Sequence, residues 1–300
     1  MNKKIYLKLI LIGFVFLFAG CQDIKIRKIP RIFEKNEEQT ETEDTEPDIR
    51  AAFTENVTNA ESTEEDAKSD TESKNPGMIT ASDGTYDYVA LGNSVTCSWE
   101  AEGLWWGNWG MAASSAEKDY VHLISKQLGS QFEMPVATMV LNLKKWEVAK
   151  KRDAVLKKYE GYFNEHTDLV TIQTGENITE FKDTLGSDYS NLLKFIKEKA
   201  PNAKIFMLGE LLWPSEDIET AKRKACEENG VVFIEMTEFL DDYEEIYRSA
   251  IGEKVSGSDK KKHKITDEVV AAHPNDEGMA CIARLVMEQI SVQNSSVEDK

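Results

Sequence analysis

Positive charge is scarce in this chain: 36 Lys and Arg stand against 54 Asp and Glu, a formal net charge of −18. The balance is uneven. Residues 1–32 carry +6 and residues 33–78 carry −11, which leaves −13 for residues 79–300. A domain that acidic repels phosphate backbones, which argues against nucleic acid as a partner. Cysteine is scarce too. Only Cys21, Cys97, Cys226 and Cys281 are present. None forms a CxxC pair or stands with histidine at zinc spacing, so no metal site is expected. Cys226 and Cys281 fall in predicted helices and read as small buried apolar residues. Cys97 has no separate base near it in sequence. No internal repeat is visible.

What is present divides the chain into four parts. Residues 1–20 read as a signal peptide: Lys3, Lys4 and Lys8 precede an apolar run, residues 9–18, too short to span a bilayer comfortably. The run closes on Leu17-Phe18-Ala19-Gly20-Cys21, which resembles a bacterial lipobox. That resemblance implies cleavage before Cys21, lipid on its sulfur and an extracytoplasmic, membrane-anchored protein. Residues 21–80 read as a tether. Its start carries Lys25, Arg27, Lys28 and Arg31, suited to anionic headgroups. Its remainder is acidic, rich in Thr, Ser, Asn and Glu, and too poor in apolar residues to offset its ordering entropy. Residues 81–293 are one domain's worth of chain, and residues 294–300 read as a disordered tail.

Within the domain, apolar runs at 86–91, 136–143, 168–173, 203–209 and 231–235 read as strands buried on both faces. Helical spacing is found at 115–128, 146–163, 189–199, 215–228 and 276–290. Pro201 stops the third of these helices, and Asn229-Gly230 caps the fourth. The alternation predicts an α/β fold with a parallel sheet and helices on both faces. Residues 251–266 read as a polar loop or hairpin near the site, its lysines a solvated tip.

Ligands sit beyond the carboxyl ends of such strands. Four segments fall there or before the last helix: Gly92-Asn93-Ser94, Asn142, Gly175-Glu176-Asn177 and His273-Pro274. Ser94, just past a strand, can lift its hydroxyl above the sheet and turn its backbone N–H to an oxyanion. Asn177 and Asn142 can donate amide N–H groups to the same oxyanion, although each residue is also ordinary turn chemistry. His273 is the base candidate. His122 lies on a helix face, His166 in a polar turn and His263 in the lysine run. Trp99, Trp105, Trp106 and Trp109 crowd four of the six tryptophans into a Gly-rich loop just after Ser94. Of these, Trp105, Trp106 and Trp109 are the candidate substrate contacts, since aromatic faces suit sugar rings or acyl chains. Packing of the loop on its own aromatics is the alternative.

These blocks, in this order, resemble the SGNH, or GDSL-like, hydrolase superfamily, and within it exported bacterial lipoproteins with a Gly-Asn-Ser block. The resemblance covers about residues 86–290. It implies a flavodoxin-like three-layer α/β/α sandwich with a five-stranded parallel sheet, and neither metal nor organic cofactor. It assigns Ser94 as nucleophile, His273 as base, Asn177 as an oxyanion donor, and Asn142 to the second-block place usually held by Gly. Asn93 stands where the family has Asp. Val270 stands where the family's triad Asp would stand, three residues before His273. A Ser–His dyad, its imidazole held by a backbone carbonyl, or an incomplete triad with Asp267, Glu268 or Asp276 reaching the ring, is therefore expected. The implied activity is removal of O-acyl groups such as acetyl from extracellular or cell-wall glycans or small esters, with acyl transfer a close variant. A non-catalytic glycan-binding surface lipoprotein on the same fold is the alternative; fluorophosphonate labelling of Ser94 separates the two. A lipase would want a large apolar lid, which these polar loops do not provide.

Overall fold

A computed structural model describes residues 49–55 and 84–298, all within one compact unit, Glu43–Lys300. The expected signal peptide, Cys21 and most of the tether lie outside the described residues. In chain order the elements are β1 (Ile49–Glu55), β2 (Tyr86–Gly92), α1 (Tyr120–Phe132), β3 (Val136–Asn142), α2 (Lys144–Val148), α3 (Arg152–Leu156), β4 (Thr167–Gln173), α4 (Leu185–Lys199), β5 (Lys204–Leu208), α5 (Glu216–Asn229), β6 (Val232–Ile234), α6 (Thr237–Asp241), β7 (Lys254–Ser256), β8 (Lys262–Lys264), α7 (Glu268–Ala271) and α8 (Asp276–Glu298).

Strand periodicity builds the layers. Successive side chains point to opposite faces. Tyr88 and Ala90 of β2, Val136 and Val140 of β3, and Phe206 and Leu208 of β5 therefore share one core. Val89 and Leu91, Met139 and Leu141, and Ile205 and Met207 share the other. The first core is closed by Val121, Ile124 and Leu128 of α1 and Met279, Ile282 and Val286 of α8. The second is closed by Tyr189, Leu192 and Ile196 of α4 and Ile218 and Cys226 of α5. Each buried aliphatic side chain contributes roughly 1.5–3 kcal/mol. The result is the expected three-layer α/β/α sandwich.

The sheet has six strands, not five. Its order is β1-β3-β2-β4-β5-β6. The five expected strands are parallel, and β1 adds an antiparallel edge to β3, from Ile49↔Leu141 to Glu55↔Val136. This corrects the tether reading, because Ile49–Glu55 lies inside it. Phe53 gives the strand its purchase, stacking on the His122 ring at 4.0 Å. The sequence contains alternation there, but only across seven residues in an acidic surround.

Two helical expectations also shift. The stretch 146–163 breaks into α2, α3 and a 3-10 turn, Lys157–Tyr162. Val148 is 50% exposed, so the apolar stripe is interrupted. Arg152 is buried at the break and donates to the Glu147 carbonyl at 2.9 Å, completing the end of α2. Helix α8 continues to Glu298, into the expected tail. No Gly or Pro after Gly278 stops it. The hairpin read at 251–266 is present as β7–β8. Among the described residues, no helix is long and apolar enough to cross a membrane.

Candidate active site

Glycine starts the site. A Cβ on Gly92 would lie 1.8 Å from Thr96 Oγ1 and 2.7 Å from the Gln173 carbonyl, so only glycine lets the chain turn here. The turn is closed by Thr96 and Cys97 N–H groups donating to the Asn93 carbonyl at 3.0 and 2.9 Å. Ser94 rides on it, half-buried. Its backbone N–H forms no hydrogen bond among the described residues.

Ser94 Oγ lies 2.7 Å from His273 Nε2. On the other side of the ring, Nδ1 lies 2.8 Å from the Val269 carbonyl oxygen. A carbonyl only accepts, so Nδ1 carries the proton and Nε2 presents its lone pair to the serine hydroxyl. Helix α7 sets that carbonyl. Asp267 caps it, accepting from Val269 and Val270 N–H at 2.8 and 3.3 Å. His273 N–H then donates to the Val270 carbonyl at 3.0 Å. No carboxylate among the described residues bonds the imidazole. Asp276 is spent on Ser114 N–H and Oγ–H, both at 2.7 Å, and Glu268 is exposed. Burial is the main cause that pushes His273 down to about 4, opposed by its backbone hydrogen bonds and by Asp267.

Glu147 gathers the strand ends beneath Ser94. It is fully buried on α2. Its Oε1 accepts from Asn93 Nδ2 at 3.1 Å, Thr174 Oγ1 at 2.9 Å and Gly175 N–H at 2.6 Å. Its Oε2 accepts from Asn177 Nδ2 at 2.5 Å. Asn177 is half-buried and has a second N–H on the same nitrogen for a ligand. Glu176 ties in the next ring of contacts, accepting from Asn93 Nδ2 at 2.6 Å, Gln173 Nε2 at 2.8 Å and Leu211 N–H at 3.0 Å. Burial first, then Glu176, raises the Glu147 carboxyl above its usual range. The same causes push Glu210 up to about 8, so it holds a proton at neutral pH. Lys222, fully buried, donates to the Thr174 carbonyl at 2.8 Å.

The structure thus brings Ser94 and His273 into contact and places Asn177 on the network under the Ser94 turn. Other expected residues lie elsewhere. Asn142 is buried, with Nδ2 on the Cys97 carbonyl at 2.7 Å and Oδ1 on Lys144 N–H at 2.9 Å. Its side chain braces the Ser94 turn rather than facing an oxyanion. Trp105 and Trp109 are core residues, edge-to-face at 5.8 Å. A Gly-rich loop can bury them because it folds back, with Ser98 N–H on the Trp109 carbonyl at 3.0 Å and Met111 N–H on the Ser94 carbonyl at 2.9 Å. Trp106 is half-buried and stacks on His263 at 4.5 Å. The exposed aromatics are instead Trp99, Phe181 and Trp213, at 36, 39 and 40%, each in a loop that follows a strand's carboxyl end. Cys97 is buried with its thiol on the Asn108 carbonyl at 3.1 Å. Sequence reasoning missed Glu147; its signal was an acid beside Trp146 in an otherwise apolar stripe.

No protein-family model and no curated protein sequence matches the chain. Among solved structures it is similar to phospholipase A1 from Streptomyces albidoflavus, with 14% identity, 68% of this chain and 98% of that one covered, and a TM-score of 0.43. It is also similar to a putative GDSL-like lipase from Bacteroides ovatus, with 12% identity, coverage of 69% and 98%, and a TM-score of 0.44. A family two carbohydrate esterase from Clostridium thermocellum, solved with cellohexaose, gives 15% identity, coverage of 70% and 65%, and a TM-score of 0.41.

Proposed function

We propose that this chain is an exported serine ester hydrolase of the SGNH kind, working through a Ser94–His273 dyad on O-acyl groups, acetyl above all, of extracellular carbohydrate. The observation that carries the reading is the 2.7 Å contact from Ser94 Oγ to a His273 Nε2 whose lone pair is fixed toward it by the Nδ1–H bond to Val269. Ser94 Oγ attacks the ester carbonyl and gives its proton to Nε2. The tetrahedral oxyanion accepts from Ser94 N–H and the free N–H of Asn177 Nδ2. His273 returns the proton to the leaving alcohol oxygen, leaving acyl-Ser94. Water then attacks, His273 takes its proton, and release of the acid restores the serine.

The Val269 carbonyl orients the ring but carries no full charge to stabilise the imidazolium. Loss of the acid from a serine-protease triad lowers kcat about 10⁴-fold, so a slow enzyme with a preference for good leaving groups is expected. Lipidation at Cys21 would hold it outside the cytoplasm on a membrane. The test is p-nitrophenyl acetate turnover by the full-length protein in nonionic detergent, beside Ser94→Ala and His273→Ala. Loss of about 10²-fold in both is expected, the part of a triad's contribution that remains once the acid's share is gone. Equal rates in all three proteins would sink the esterase reading and favour a glycan-binding lipoprotein.

A further inference from the structure

We propose, resting on the esterase reading above, that the ester-bearing substrate is an anionic polymer of hydroxylated units, gripped between two lysine-bearing flanks of the site. The domain is net acidic, yet nine of its 25 Lys and Arg residues lie on two short segments, one following β3 and one forming the β7–β8 hairpin: Lys144, Lys145, Lys150 and Lys151, and Lys254, Lys260, Lys261, Lys262 and Lys264.

The first flank follows β3. Asn142, which braces the Ser94 turn, is two residues before Lys144. Lys144 Nζ lies 5.2 Å from the exposed Trp99 ring, and Lys150 Nζ 5.8 Å from the exposed Phe181 ring. Each pairing sets a flat apolar face beside a cation. Phe181 is held in a left-handed conformation, φ 54°, while buried Arg152 donates to its carbonyl at 3.0 Å. A bulky residue rarely takes that conformation without a local reason.

The second flank is the β7–β8 hairpin. Its inner face is anchored: Val255 is buried, and His263 stacks on Trp106 while bonding Asp259 at 2.9 Å. Ser258 N–H donates to the Trp106 carbonyl and Ser256 N–H to the Ser114 carbonyl, at 2.8 and 2.7 Å, fixing the hairpin to the loop that begins at Ser94. At its base, Ser249 N–H donates to the His273 carbonyl at 3.0 Å. The outer face carries Lys254 directly opposite Lys264, and Lys262 opposite Ser256. Like charges directly opposed on a ladder are destabilising. Among the described residues the only ion pair from a hairpin lysine is Lys261 to Asp259, at 3.8 Å. One or two lysines are enough to keep a sheet edge from pairing. Five on one anchored hairpin, with four more on the segment that follows β3, make a cationic seat on a protein that otherwise repels polyanions. Glu100 and Glu102 on the Trp99 loop and half-buried Glu176 oppose it, whereas Glu147 and Glu210 are buried.

The ligand chemistry is a polymer bearing regularly spaced carboxylates or phosphodiesters, with the scissile acyl group on a neighbouring hydroxyl. Acetate release by the full-length protein would be compared on acetylated polygalacturonate, acetylated poly(glycerol phosphate) and acetylated dextran of matched acetyl content. The expected result is at least tenfold higher kcat/KM on one or both anionic polymers than on dextran at low salt, with the faster one naming the anion. That ratio should approach one at 0.5 M salt, where screening shortens to about 4 Å. It should also collapse in K260E/K261E/K262E and in K150E/K151E. A ratio of one in the native protein, or a ratio insensitive to both variants, overturns the proposal. p-Nitrophenyl acetate turnover tests the dyad separately. If the dyad fails, affinity of Ser94→Ala protein for deacetylated polygalacturonate and for poly(glycerol phosphate) still decides the anion seat, by the same salt and charge-reversal criteria.

Discussion

Replacing Glu147 by Gln tests whether the buried carboxylate positions Asn177. The change keeps the volume and removes one acceptor. Three donors converge on Oε1, from Asn93, Thr174 and Gly175, and one on Oε2, from Asn177. A glutamine satisfies most of them by leaving its oxygen at the Oε1 place. Its amide NH₂ then faces the NH₂ of Asn177, donor against donor, and Asn177 turns away. Loss of one oxyanion donor costs about 10²–10³ in kcat, so kcat for p-nitrophenyl acetate should fall about a hundredfold while KM changes less than about threefold. Neutral Gln also relieves a carboxylate that burial and Glu176 both disfavour, which offsets the donor clash and keeps the protein folded. Asn177→Ala should give a similar loss. In the double variant the second change should cost less than about threefold, because both act on one donor. A full hundredfold drop from E147Q in the Asn177→Ala background, or near-native kcat for E147Q alone, would refute the positioning argument. Thermal unfolding of each protein separates a lost fold from a lost donor.

His273 is neutral, and so competent as a base, above about pH 4. A kcat/KM profile flat from about pH 8 to 5, falling only as the ring protonates, is therefore expected, rather than one breaking near the usual 6.5. Between these two values the unfolded chain binds a proton that folded His273 does not. Its contribution to stability therefore falls as pH drops through that window, which acid-titrated urea unfolding checks. Writing an Asp into the family's triad place, Val270→Asp, should not raise kcat. That side chain is buried in the core under α7 while the imidazole is held by the Val269 carbonyl, so the expected outcome is a loss of about 1–3 kcal/mol in chemical denaturation. A protein that starts after Glu55 should melt lower and aggregate more readily, because removing β1 exposes the edge of β3; light scattering during a thermal ramp reads both.

The five parallel strands were legible because each is a near-continuous apolar run, and such a run has little choice but to be buried on both faces. Ser94 was legible because it follows a strand whose end the pattern marks, and His273 because it stands just before the last helix. β1 was not, since an edge strand buries little and takes its order from β3 and the His122 ring. The tryptophans misled for a physical reason. Clustered aromatics in a Gly-rich loop suggest a surface, but Trp105 and Trp109 supply enough apolar area to fold the loop inward over them. Asn142 and Glu147 invert each other. The amide at a strand end became a brace, while the acid on a short helix became the hub, because four donors left over from the two loops after β2 and β4 needed one acceptor. Such convergence is a property of tertiary contact and leaves little trace in local spacing.

The antiparallel set of β1 has a mechanical consequence. Ile49 pairs with Leu141 at the carboxyl end of β3, and Glu55 with Val136 at its start. The polypeptide thus enters the sheet at the end where Ser94 and His273 sit. Any load applied to β1 through its first residue, Ile49, reaches the sheet at the Leu141 end of the β1–β3 ladder and not at its Val136 end.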